Sequence, residues 1–200
     1  MPELKNITID EFISKILQGE RDFSYVSLEE QNLSKHERFA EMQKYLKSQG
    51  DKLRREPVSL SHSIFRCVNA CGIHLPYLRG VSLDVSGSEL QWSNFFGSYL
   101  KKIVAVRSNL SYCDLAESDF RCGNLRYANL NRANCWRTEF AKTDMRDIEN
   151  LELTDKLGDA HFYKTKANKK EKEIIKKAIS RRNLFSVERQ TESYQLTDSN

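Results

Sequence analysis

Residues 123–132 read GNLRYANLNR: Leu125 and Leu130 stand five apart, each preceded by Asn and, two back, by Gly or Ala. A helix repeats its buried face every 3.6 residues and a strand every two. Neither gives five, so another architecture sets this spacing. Reading outward, Leu110, Leu115, Phe120, Leu125, Leu130, Cys135, Phe140 and Met145 hold the period, and all are apolar. Against an apolar background of 39%, such a run has odds of about one in two thousand.

Two further registers agree. Two residues before the centres lie Ser108, Cys113, Ser118, Gly123, Ala128, Ala133, Thr138 and Thr143, all small. Directly before them lie Asn109, Asp114, Asp119, Asn124, Asn129, Asn134, Glu139 and Asp144, all polar. Upstream the phase continues through Leu60, Phe65, Leu75, Val85, Leu90, Phe95 and Leu100, with Ala70, Gly80 and Ala105 as weaker centres. An earlier fragment, RDFSYVSLEEQNL at 21–33, holds Phe23, Leu28 and Leu33 five apart in a different phase.

The order small residue, Asp or Asn, Leu or Phe, then two variable residues resembles the pentapeptide-repeat family. Residues 57–147 match it throughout, and residues 21–33 match it as a separate first piece. The resemblance implies an all-β solenoid with helical caps: a right-handed quadrilateral β-helix of about 4–5 coils, with four pentapeptides making one square coil of about twenty residues. Centres and the small residues two before them then point inward. At the ~4.8 Å spacing of stacked strands, the rod is on the order of 20 Å long. The Asn and Asp side chains are expected to hydrogen-bond backbone at the corners.

Open coil ends expose unpaired backbone, so caps are expected. In residues 1–20, Ile9, Phe12, Ile13, Ile16 and Leu17 have helical spacing, with Thr8 and Glu11 placed as a capping box and Gly19 as the stop. Residues 34–56 interrupt the repeats as a helical insertion, with Ser34 and Glu37 as a second box and Phe39, Met42 and Leu46 on one face. The main β-helix is assigned to 57–149 and a capping segment with a helix to 150–184. That helix is opened by Asn168 and Glu171, with Ile174, Ile175, Ala178 and Ile179 on its apolar face. Residues 185–200 are polar and aperiodic and are expected to be a disordered tail.

Two hundred residues suit one domain with terminal additions. No run approaches the ~20 apolar residues of a membrane span, and the N-terminus lacks a signal-peptide core, so a cytoplasmic location and no membrane partner are expected. The five cysteines split into inward Cys113 and Cys135 and outward Cys67, Cys71 and Cys122, which argues for a reducing compartment over a disulfide framework. Cys67 and Cys71 lack the second pair a zinc site needs. No phosphate loop, metalloprotease or nucleophile-elbow motif is present, and His36, His62, His74 and His161 are scattered. The sequence therefore points to no enzyme, no cofactor, no metal and no catalytic residue.

The outward columns carry the functional expectations. With twenty residues per coil, Trp92 lies beside Tyr112, with Arg132 next, and Pro76, Phe96, Ala116 and Trp136 form a neighbouring column. Trp92, Phe96, Tyr112 and Trp136 are thus expected to gather at one corner as a protein-binding surface, unless the insertion or the last helix folds back over it. A second grouping is basic: Lys101, Lys102, Arg121 and Lys142, with Arg66, Arg126 and Arg146 on the next side. Residues 57–150 hold eleven Lys or Arg against nine Asp or Glu, so the rod is near neutral.

These features favour a non-catalytic scaffold that binds another protein of unnamed identity, a second copy meeting a coil end or the aromatic corner being a further candidate. The alternative is a binder of nucleic acid or another polyanion through the Lys/Arg columns. Members of the family that the chain resembles imitate B-form DNA and bind DNA gyrase. That role needs a strongly acidic rod, and this one departs from it.

Overall fold

The computed structural model describes residues 2–185 and 195–197. Its body is a solenoid whose turns are joined by parallel bridges along four ladders. The first side runs Asp22, Ser59, Arg79, Tyr99, Asp119, Glu139, His161. The second runs Ser27, Ile64, Asp84, Val104, Asn124, Asp144, Lys166, and the third Asn32, Asn69, Glu89, Asn109, Asn129, Glu149. The fourth runs His74, Asn94, Asp114, Asn134, Asp155.

One unit shows why five residues suffice. In residues 108–112 every backbone N–H has an acceptor. Asn109 N donates to Ser88 O one coil back, and Leu110 N and Tyr112 N donate to Asn129 O and Asn131 O one coil on, at 2.9, 3.0 and 2.8 Å. Ser108 N closes the preceding turn on Ala105 O at 3.3 Å. The remaining donor, Ser111 N, has no ladder partner and bonds Asn109 Oδ1 at 3.2 Å. The same side-chain bond recurs from Asp84, Asn94, Asp119, Asn129 and Asn134. Where Asn or Asp precedes a centre, it therefore satisfies the one N–H the ladder leaves over.

The inward small residues do more than leave room. Ser88, Ser108, Ser118, Thr138 and Thr143 are buried, yet each hydroxyl donates to the carbonyl of a centre residue one coil back, at 2.6 to 2.9 Å. A buried hydroxyl so paired costs little. Centres from Leu60 to Met145 fill the axis. Gly80, a weak centre in the pattern, faces Leu100, whose Cδ2 lies 2.8 Å from where a Cβ would sit. An apolar void of about 40 Å³ remains near Ala70, Phe65 and Leu90.

At the N-terminal end, β1 (Lys5–Asn6) pairs in parallel with β2 (Val26–Ser27), and α1 (Ile9–Leu17) follows. Thr8 Oγ1 accepts from Glu11 N at 3.1 Å, but the Glu11 carboxylate bonds Lys5 and Lys15, so only half of the expected capping box forms. The helix ends in a Schellman arrangement: Gly19 has φ +92, Gly19 N donates to Ile16 O and Glu20 N to Lys15 O. Phe12 reaches into the axis, with ring centroids 4.8 Å from Phe23 and 5.8 Å from Phe65.

The first coil has three sides, Asp22, Ser27 and Asn32, and the chain then leaves the solenoid. A 3₁₀ turn at Leu33–Lys35 leads to α2 (Phe39–Ser48) and the short α3 (Lys52–Arg55). The box expected from Ser34 and Glu37 does not form. Ser34 Oγ instead bonds Asn32 and Asn69, and α2 starts at Phe39 after Arg38, which makes no side-chain cap. Met42 and Leu46 are buried as expected and Phe39 only partly. Gln43, also buried, accepts from His74 N through Oε1 at 2.8 Å, standing in for the missing fourth rung of the first coil.

At the other end the ladders run beyond residue 149, through Asn134–Asp155, Glu139–His161 and Asp144–Lys166. Asn150 and Lys156, both at φ +55, accompany the offsets that break the sequence period. Inward Leu151, Leu157, Phe162 and Ala167 continue the core. β3 (Tyr163–Lys166) leads into α4 (Lys169–Phe185), which packs Ile174, Ile175, Ala178 and Ile179 on the core as expected. Gly158 lies beneath α4: a Cβ there would sit 2.5 Å from Ala178 O. Of the expected disordered tail, Gln195–Thr197 forms β4, parallel to β3, and residues 186–194 and 198–200 lie outside the described residues.

Candidate functional site

Each corner consists of the two residues after a centre. The turn closes by a hydrogen bond from the next small residue to the centre carbonyl, as Cys113 N to Leu110 O at 3.3 Å. The second corner residue has positive φ and the first does not: Trp92 +64, Tyr112 +58, Arg132 +54. That is a type II turn, and it aims the side chain outward from a fixed backbone.

This geometry separates two columns that the sequence reading placed at one corner. Trp92 and Tyr112 occupy the corner after the third side, Phe96 and Trp136 the corner after the fourth. The rung between them, such as Ser93–Phe95, is the fourth side itself. The aromatics therefore flank a face, lined by Asn94, Asp114 and Asn134, rather than sharing an edge. Trp92 and Tyr112 stack with centroids 4.0 Å apart and planes 9° from parallel. Trp92 is 61% exposed, Tyr112 41% and Trp136 36%. Phe96 packs edge-on against Tyr77 at 5.6 Å, and Ala116 is buried. Arg137 lies over the Trp136 ring at 4.3 Å.

Neither α2 nor α4 covers the Trp92–Tyr112 stack. The insertion packs on α1 and the open end of the first coil, through Arg38–Ser14, Arg21–Tyr45 and Gln43–His74. Helix α4 packs on the turns at Leu151–Leu153 and Leu157–Asp159. Burial, with a smaller contribution from Lys47, holds the His74 imidazole below its ordinary pKa.

The basic grouping falls on the corner after the first side, with Lys101 and Arg121 in one column and Lys102 and Lys142 in the next. Arg121 is held by Asp119 at 2.6 Å. In the following corner Arg66 pairs with Asp84, Arg126 with Asp147 and Arg146 with Asp144, at 2.7, 3.2 and 2.6 Å. Partial burial pushes the Asp144 carboxyl up, but the Arg146 hydrogen bond and charge outweigh it and the net shift is downward. Lys101, Lys102 and Lys142 form no ion pair among the described residues.

The near-neutral rod is thus polarised around its girth. Arg66, Arg79, Lys101, Lys102, Arg107, Arg121, Arg126, Lys142 and Arg146 all lie on the first two sides and the corners that follow them. The third and fourth sides with their corners carry only Arg132 and Arg137 from residues 57–150, against Glu89, Asp114, Glu117 and Glu149. Sequence columns contain this asymmetry, but it shows only once the pentads are assigned to sides.

The cysteines divide as expected: Cys113 and Cys135 are buried, Cys67 and Cys122 exposed and Cys71 half-buried, all as free thiols. Among the described residues no three His, Cys, Asp or Glu side chains converge as a metal site. No helix there is long and apolar enough to cross a membrane.

A family model of pentapeptide repeats (eight copies) matches residues 124–148. No curated protein matches the chain. Solved structures with similar folds include a pentapeptide repeat protein from the Arabidopsis thaliana thylakoid lumen, 21% identical over 55% of this chain and 72% of that one, TM-score 0.42. A trypsin-treated variant of QnrB1, a plasmid-mediated fluoroquinolone resistance protein, is 11% identical over 81% of this chain and 89% of that one, TM-score 0.47. Rfr23, from the cyanobacterium Cyanothece 51142, is 16% identical over 70% and 86%, TM-score 0.38.

Proposed function

We propose that this chain, a pentapeptide-repeat protein, is a non-catalytic scaffold built on a right-handed quadrilateral β-helix with capped ends, and that it binds another protein through its fourth side and the aromatic corners beside it. One observation carries this reading: the stacked, outward-facing Trp92–Tyr112 pair stands on rigid type II turns, clear of both added helical segments. Exposed Trp and Tyr supply large contact area at low entropic cost because only two side-chain torsions must be fixed. The ladder beneath holds them in place before any partner arrives.

A polyanion reading draws on Lys101, Lys102 and Lys142, which form no ion pair among the described residues. Against it, the arginines of the same half already hold Asp84, Asp119, Asp144 and Asp147, which dilutes the field a nucleic acid needs. DNA imitation requires a uniformly acidic surface, and half of this rod is cationic.

The test is capture from lysate with wild type and with the Trp92→Ser/Trp136→Ser double variant, once circular dichroism shows both folded. A partner enriched by wild type and lost by the variant is expected. Equal recovery of that partner by both proteins would place binding elsewhere.

A further inference from the structure

The Trp92 indole has two faces. One stacks on Tyr112 at 4.0 Å. The other looks toward the preceding coil, where the same corner position is Gly72. A Cβ built on Gly72 meets no atom within 4 Å. Gly72 thus leaves the position ahead of Trp92 without a side chain, one rung of ~4.8 Å back along the stack, beside a residue that is 61% exposed.

The molecule shows what fills such a place elsewhere. In the corner after the second side, Arg107 stands one coil ahead of Tyr127, as Gly72 stands ahead of Trp92, and its guanidinium lies 5.3 Å from the Tyr127 centroid. Arg126 lies over the same ring at 5.0 Å, and Arg137 lies over Trp136 at 4.3 Å. Trp92 has no cation over it among the described residues.

Two carboxylates lie on the adjoining sides. Glu89 lies on the third side three residues before Trp92, its Oε2 accepting from Asn109 Nδ2 at 2.9 Å, and Asp114 lies on the fourth. Neither forms an ion pair with Lys or Arg among the described residues. The Cys71 thiol beside Gly72 is raised by burial and further by the Glu89 charge. The two arginines on this half are engaged, Arg132 with Asp155 at 3.5 Å and Arg137 with Glu117 at 3.9 Å.

We infer that the slot between Gly72 and Trp92 receives an arginine side chain of the partner protein, its guanidinium flat on the indole and within the field of Glu89. A planar cation matches both features: it stacks on the ring and answers the carboxylate. A lysine ammonium lacks the plane, and a neutral ring or sugar leaves the charge of Glu89 uncompensated. The inference rests on the reading of this face as a docking surface.

The probe is an acetylated, amidated Gly-Gly-Arg-Gly-Gly peptide at millimolar concentration, with lysine and citrulline counterparts, added to the full-length ¹⁵N-labelled chain. The Trp92 indole N–H resonance is the readout, and that of Trp136 the internal control. The arginine peptide is expected to shift Trp92 selectively, the citrulline peptide several-fold less, and Glu89→Gln to weaken the arginine effect about threefold. Gly72→Arg is expected to fill the slot from within and abolish the shift. It should fold, because Arg107 and Arg132 already hold this corner position at φ +57 and +54. Equal shifts from arginine and citrulline peptides, or an unchanged response in Gly72→Arg, would overturn the assignment. Should Trp92→Ser lose the natural partner while the arginine peptide leaves Trp92 unmoved, the docking face stands and the arginine fails; if neither responds, both fail.

Discussion

The second corner residue carries the clearest constraint at the scale of single residues. Lys102, Arg107, Tyr112, Glu117, Cys122 and Tyr127 all sit in the left-handed region, φ +57 to +62, at a cost of roughly 1 kcal/mol or more each relative to Gly. None of the positive-φ residues among the described residues is Val, Ile or Thr, whereas the first corner residue accepts Val81 and Val106. Branching at Cβ crowds the carbonyl in the left-handed region and not in the first turn position. Lys102→Val is therefore expected to lower stability by about 1–2 kcal/mol. Lys101→Val, one residue away in the column that holds Val81, is expected to stay within about 0.5 kcal/mol. Urea melts of the two variants check this, and equal losses would contradict it.

At the scale of elements, the insertion completes the first coil. Residues 34–56 pack against α1 and close the open side of the first coil. Gln43 is decisive there, because its Oε1 is the acceptor that a fourth rung would otherwise supply to His74 N. Gln43→Ala leaves that half-buried donor without its partner and is expected to cost about 1–2 kcal/mol. Amide exchange at His74 is expected to accelerate more than exchange at Asn94, whose N–H keeps its ladder acceptor Ile73 O at 2.9 Å. A neutral Gln43→Ala variant would show that α2 is an attachment and not part of the coil. Helical periodicity revealed α2 but not this role, since nothing local to Gln43 marks it as a rung.

For the whole molecule, the stacked core ties stability to pH through two thiols. Burial pushes Cys113 and Cys135 from an ordinary value near 9.0 up to about 12. Their folded pKa values are raised, so their contribution is fully present below pH 9 and fades as pH climbs toward 12, where the unfolded thiols ionise and the folded ones do not. Each contributes a slope of up to about 1.4 kcal/mol per pH unit in that window. A Cys113→Ala/Cys135→Ala variant is expected to be less stable at pH 7 but to lose stability less steeply from pH 9 to 11. Parallel slopes for wild type and variant would refute the assignment of the alkaline loss to these thiols.

The sequence by itself determined the solenoid, because every demand of the pentad is met within a unit or by an equivalent unit one coil away. The apolar centre fills the axis, the small residue two before it fits beside it, and Asn or Asp pairs its own turn, so three registers announce the fold. The identities of the aromatic and basic columns were legible for the same reason. Where those columns lie was not. The turn occupies only the two residues after each centre, so Trp92 and Trp136 stand on opposite edges of the fourth side. The three-sided first coil, Gln43 as its missing rung, and the continuation through Asp155, His161 and Lys166 were decided by tertiary structure alone. Each depends on residues that shift the chain out of its period, and such a shift erases the local signal while the ladder, which pairs residues across space, still closes over it.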